Sequence, residues 1–213
     1  MGSRAVIFCG AAVVLLAGCG SSSHKTNASA TSSTSSSPAT SKPLSMQARL
    51  LTGNELPGFT GSPSSPETSA SQWVSETDSG LSASQQAAQV KRLTRLAFVA
   101  GDSEDLNDGS TAGVSSVEQF KTAREAQAEV DAEAAQFLKI VARQGTISQF
   151  TVPGIPGARG YAVVSGSGGV NISFAKGPYA YVAGQELLGG ETLNTAKAKL
   201  IAAARHEYAR VTP

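Results

Sequence analysis

The hydrophobic period of this chain changes along its length, and that change limits the folds open to it. In Leu81–Ala97, and again from Thr122 to about Arg143, apolar residues recur at three- and four-residue steps, the spacing of one face of a helix. In Val170, Ile172 and Phe174 they alternate with Asn171, Ser173 and Ala175, which is a strand with one dry face. From Asn194 to Arg210 the helical spacing returns. Tyr161–Val164 and Tyr179–Ala183 flank the alternating run, with Ser165-Gly166-Ser167-Gly168-Gly169 and Gly177-Pro178 as turns. Ile147–Val152 is a possible fourth strand, and Val114–Phe120 a further one. Short turns between strands demand antiparallel pairing. The expectation is therefore an α+β fold, an antiparallel meander of about three to five strands with two long helices and one shorter helix packed against it.

Helix ends are marked by capping patterns. Ser82 with Gln85 and Thr122 with Glu125 both fit capping boxes, and Gly145 fits a left-handed stop. The first helix would bury Ala83, Ala87, Val90, Leu93 and Ala97 and carry Arg92 and Arg95 near its C-terminal end. The second would bury Ala123, Ala126, Val130, Ala134, Phe137 and Val141, and the last Leu193, Ala196, Leu200, Ala203 and Val211. Leu50, Leu51, Leu56 and Phe59 are core candidates, with a turn at Pro57-Gly58. Gly61–Ser71 and Gly101–Gly113 read as loops, the second strongly polar.

Residues 44–213 have the size of one ordinary domain. Of the 17 Lys and Arg, three (Arg4, Lys25 and Lys42) precede Leu44, which leaves 14 against 16 carboxylates beyond that point. No basic excess is available to gather phosphates, so nucleic acid is not an expected partner. Both cysteines, Cys9 and Cys19, also precede Leu44, so the domain must be held by its apolar core without disulfides or thiolate metal sites.

The amino terminus reads as an export signal. Arg4 gives a positive start and Ala5–Leu16 is uninterruptedly apolar. From Ala5 to Cys19 runs 15 residues without charge, fewer than the ~20 needed to span a bilayer. Leu16-Ala17-Gly18-Cys19 resembles the lipobox of bacterial lipoproteins. That resemblance implies cleavage of residues 1–18, lipidation of Cys19 and attachment to the cell membrane on its extracytoplasmic face. Two acyl chains suffice for stable anchoring, at ~0.8 kcal/mol per buried methylene. Gly20–Pro43 is mostly Ser, Thr and Ala without large apolar side chains, so residues 19–43 are expected to form a disordered tether. With "LPGF" at 56–59 and "VPGIPGA" at 152–158, the chain resembles small exported lipoproteins of Gram-positive, actinobacterial type.

Catalytic patterns are sparse. His206 is the only histidine after residue 43 and sits beside Arg205 and Glu207, where a polar helix face accounts for it. Neither Gly-x-Ser-x-Gly nor a glycine-rich phosphate loop occurs. The polar loop crowds Asp102, Glu104, Asp105 and Asp108 together. Aligning Gly109 with the invariant EF-hand glycine places Leu106 at a ligand position and Ser115 where a bidentate Glu belongs, so the motif fails. Glu125, Glu129 and Glu133 form an acidic row that reads as a solvated face, because no opposing carboxylate is evident. With no complete ligand set, no metal or cofactor is expected, and chelators should leave the melting temperature unchanged.

Trp73, Tyr161, Tyr179 and Tyr181 are the candidate ligand-binding residues, since aromatic side chains with a polar tip suit small-molecule clefts. Sheet packing accounts for the tyrosines equally. The expected function is a non-catalytic binding or interaction module of the cell envelope. Its partners would be the membrane, through Cys19, and an envelope protein or small molecule. The alternative is a secreted hydrolase that works through paired carboxylates. A cleft gathering Trp73, tyrosines and acidic side chains would be the informative observation.

Overall fold

The computed structural model describes residues 43–109, 111–141, 146–164, 168–187 and 191–213. Lipidation at Cys19, the tether, the Gly145 helix stop and the Ser165–Ser167 turn lie outside the described residues. The α+β expectation holds, but the sheet is larger. Seven strands, β1 (Thr60–Pro63), β2 (Phe98–Asn107), β3 (Ala112–Phe120), β4 (Thr146–Phe150), β5 (Arg159–Val164), β6 (Gly169–Lys176) and β7 (Tyr179–Glu186), form one sheet in the order β1-β2-β3-β7-β6-β5-β4. Every neighbouring pair is antiparallel. The meander β4–β7 docks by its last strand onto β3, with Val117 opposite Tyr181 and Ser116 opposite Val182.

Among the described residues there are four α-helices, α1 (Ala70–Thr77), α2 (Ala83–Arg95), α3 (Ala123–Val141) and α4 (Leu193–Arg210), one more than expected. At α2 the reciprocal capping box is complete: Ser82 Oγ accepts from Gln85 N at 3.4 Å, and Gln85 Oε1 accepts from Ser82 N at 2.9 Å. Thr122 Oγ1 accepts from Glu125 N at 3.3 Å, the cap half of the second box. The face of α2 is rotated from the expected one. Ala83 and Ala87 are exposed, while Gln89 and Leu93 are buried. Likewise Ala123 is exposed on α3.

The two sheet faces carry separate cores. On one, Val117, Ile172, Phe174 and Tyr181 pack against Leu200, Ala203 and Ala204 of α4 and against Leu50, Leu51 and Leu56 from the amino-terminal segment. On the other, Phe120 and Ala180 pack with Ala126 and Val130 of α3, Leu93 of α2, and Trp73 and Val74 of α1. The alternation in β6 thus separates two covered faces, and its polar side, Asn171 and Ser173, lies under helices.

Three polar segments were misassigned from sequence. The stretch after Gly101 belongs to β2 up to Asn107, and Asp102 is fully buried. Strand pairing on both sides satisfies the β2 backbone, while Asp102 Oδ1 accepts from Ser64 Oγ at 3.1 Å and Ser103 N at 2.9 Å. Gly61–Ser71 likewise contributes most of β1 and the start of α1. Glu207, placed on a polar face from sequence, is fully buried with neither carboxylate oxygen hydrogen-bonded among the described residues, whereas His206 is exposed.

Candidate functional site

The face of the sheet beneath α1, α2 and α3 is not uniformly apolar. Ser116 of β3, Val182 of β7 and Ser173 of β6 are cross-strand neighbours in one row. Asn171 and Tyr161 pair in the next row, and Glu118 follows Ser116 two residues on along the same side of β3. Small and polar side chains in these rows leave space where larger apolar ones would fill it. The helices close over that space with Trp73, Thr77 and Asp78 from α1 and its C-cap, Gln89, Arg92 and Leu93 from α2, and Glu133, Ala134 and Phe137 from α3. The result is a pocket of about 60 Å³.

Asp78, Glu118 and Glu133 line it, and Glu129 stands beside the lining, next to Glu118 and Glu133. Glu118, Glu129 and Glu133 each bring an oxygen to within 4.8 Å of the others. Glu129 and Glu133 are four residues apart on α3 and therefore share a side. Their row was expected to face solvent, yet Glu129 is fully buried and Glu133 half-buried. Glu118 is the opposing carboxylate that the sequence did not disclose. Its Oε1 accepts the indole N–H of Trp73 at 2.5 Å. Arg92 is the cation among them. Its Nη2 pairs with Glu129 Oε1, and its Nη1 donates to Gln136 Oε1 at 3.2 Å. Glu129 Oε2 is buried without a hydrogen-bond partner among the described residues.

Burial raises the proton affinity of all three. Desolvation pushes Glu118 up to about 8, reinforced by repulsion from Glu133 and opposed by the Trp73 hydrogen bond and by Arg92. It pushes Glu133 up to about 7, with Arg92 opposing and Asp78 reinforcing. Glu129 lies well above the ordinary carboxylate range, first from burial and then from Glu118 and Glu133.

Of the aromatic candidates, the fold brings together Trp73 and Tyr161, and adds Phe137, whose ring centroid lies 5.3 Å from that of Tyr161. Tyr179 and Tyr181 point to the opposite face of the sheet. There Tyr181 Oη accepts from buried Arg49 at 3.0 Å, and the Arg49 guanidinium lies 3.6 Å from the Tyr179 ring centroid. Arg49 also donates to Thr212 O at 2.7 Å, so these two tyrosines help fasten the carboxyl-terminal segment. They do not line the pocket.

One signal for Glu118 was present in sequence. It shares a strand side with Val114, Ser116 and Phe120, and apolar residues at both ends mark that side as covered. The cations and carboxylates of the helices gave no such sign.

No family model matches the chain, and no curated protein matches it. Among solved structures it is similar to the extracellular domain of PknH from Mycobacterium tuberculosis. That similarity has 14% identity and a TM-score of 0.49, and covers 79% of this chain and 99% of the other. Among the described residues no helix is long and apolar enough to cross a membrane.

Proposed function

We propose that the protein is a lipid-anchored, extracytoplasmic binding module whose ligand is a small positively charged species held between α1, α2, α3 and the sheet. The observation that carries this reading is a pocket lined by Asp78, Glu118 and Glu133 with Arg92 as its cation, and with Glu129 beside the lining, paired to Arg92. A buried excess of negative charge is costly unless protons or a bound cation offset it. The lipobox and the serine-rich stretch after it support the anchored placement.

The paired-carboxylate hydrolase is the weaker reading, although the pocket does hold two facing carboxylates, Glu118 and Glu133. Such an enzyme needs one carboxyl group protonated and the other ionised at working pH. Here all three are shifted in the same direction. The volume also counts against it. Pockets enclosing drug-sized molecules run to about 300–1,000 Å³, whereas this one is about 60 Å³.

Trp73 is the only tryptophan in the chain and lines the pocket, so its fluorescence reports occupancy directly. A panel of small ammonium, amidinium and divalent cations should include at least one that changes Trp73 emission saturably. Ser173→Leu, which fills the pocket from the sheet side, should abolish that change while leaving the far-ultraviolet circular dichroism intact. A response that survives Ser173→Leu, or no response across the panel, contradicts the reading.

A further inference from the structure

We propose that Glu118, Glu129 and Glu133 form a site for a hard divalent cation of calcium size. The proposal rests on the pocket reading above and goes beyond it by naming the ligand class.

The donor set decides the type of ion. All three side chains offer carboxylate oxygen, and neither cysteine nor histidine lines the pocket. Oxygen-only sites suit Ca²⁺, Mg²⁺ and Mn²⁺ rather than the softer metals. Coordination geometry decides among these. Calcium accepts irregular sets of six to eight oxygens, whereas Mg²⁺ demands a near-ideal octahedron. The three oxygens lie within 4.8 Å of one another on two separate elements, β3 and α3, close enough for one ion to bridge and suited to the more tolerant ion.

A second observation comes from Glu129 itself. It is fully buried, its Oε2 has no hydrogen-bond partner among the described residues, and it brings a carboxylate oxygen into the group. Arg92 pairs with it through Oε1. A buried carboxylate oxygen without a donor is a position at which folding alone gains nothing, and a metal ion would satisfy it. Arg92 also reduces the repulsion among the three carboxylates without supplying a donor to that oxygen.

The pocket completes the coordination sphere. Calcium takes six to eight oxygens, more than three monodentate carboxylates provide. Ser116, Ser173 and Asn171 line the same space and can donate through hydroxyl or carbonyl oxygen. The remaining positions fall to water, which needs roughly 10–15 Å³ of such space per molecule. A volume of about 60 Å³ accommodates an ion with a few waters.

The test uses the full chain in detergent, with Tb³⁺ as the calcium-sized probe and Trp73 as the antenna. Excitation of Trp73 should give saturable Tb³⁺ emission, and Ca²⁺ should displace it. Glu129→Gln and Glu133→Gln should each weaken Tb³⁺ binding at least tenfold. Glu133→Asp, which keeps the charge but shortens the reach, should weaken it less than Glu133→Gln. Asp131→Asn, at an exposed position of the same helix, should leave it unchanged; Asp131 pairs with Arg159 away from the pocket. Unfolding midpoints of the variants establish that each is folded. Absence of sensitised emission, or emission that Glu133→Gln and Glu133→Asp both leave unaltered, overturns the proposal. Methylammonium separates the two levels of the account. If it changes Trp73 emission saturably while Tb³⁺ and Ca²⁺ do nothing, the divalent site is wrong and the pocket reading stands. If neither these three nor any other cation of the panel acts, both are wrong.

Discussion

Glu207 and the glutamates of the pocket show the same buried charge put to different uses. Glu207 sits on α4 with no hydrogen bond to either oxygen, and burial, then repulsion from Glu55, raises its proton affinity well above the usual carboxylate range; Arg210 opposes this. The groups facing it are Glu55, Arg210 and the Tyr181 hydroxyl. Arg210 is itself engaged by Glu55 at 2.8 and 3.0 Å. A carboxyl group whose folded pKa is raised makes the folded state bind more protons than the unfolded one. Its full stability is therefore present below the unfolded value of 4.5 and is lost as pH rises toward the folded value. Glu207→Gln should remove that loss. In calcium-free buffer its urea midpoint should exceed that of the wild type at pH 8 and approach it near pH 4.5. A lower midpoint for the variant at pH 8 would show that Glu207 is held ionised by a partner. Because Glu207 lies on the opposite sheet face from the pocket, Tb³⁺ binding should be unaffected.

At the scale of elements, the pocket depends on how closely α1 approaches β2. A Cβ built on Gly101 would stand 2.6 Å from the Trp73 ring, too close for any real contact. Gly101→Ala must therefore displace Trp73, disturbing its hydrogen bond to Glu118. A destabilisation of about 1–3 kcal/mol is expected, read as a lower urea midpoint together with a red-shifted Trp73 emission. An unchanged spectrum would mean that the indole is not seated on Gly101. The helices α2 and α3 were legible where a cap and a periodic stripe coincided, at Ser82 and Thr122, and α4 from its stripe alone. Strand β2 was not, because its Asp102, Ser103, Glu104 and Asp105 carry the composition of a loop. Pairing with both β1 and β3 outweighs their low strand propensity. Strand β6 was legible as a strand but not as a two-sided one. Its alternation marks Asn171 and Ser173 as polar, and polarity alone does not distinguish water from a polar pocket.

At the scale of the molecule, the acidic row of α3 explains why the site was hidden. Glu125, Glu129 and Glu133 run beside the apolar row Ala126, Val130 and Ala134, one residue out of phase, about 100° around the helix. Only tertiary placement over Glu118 turns that flank inward, and the partner lies on a distant strand. The proposed membrane attachment, by contrast, rests on local sequence. Cys19→Ser should yield protein that is unprocessed or released, and mature protein partitioning into the detergent phase would contradict the lipid anchor. For the binding module itself, the most direct measurement is the unfolding temperature of the full chain with and without calcium. The sequence alone led to an expectation of no effect from chelators; the arrangement of Glu118, Glu129 and Glu133 leads to the opposite. At calcium about 100 times its Kd, binding to the folded state adds about 2.7 kcal/mol, which at about 2–4 °C per kcal/mol raises the midpoint by roughly 5–10 °C. Glu133→Gln should melt higher than the wild type in chelator at pH 8, because a buried charge has been removed, and should rise less with calcium than the wild type does. A wild-type midpoint that calcium and chelator both leave unmoved would contradict the cation site.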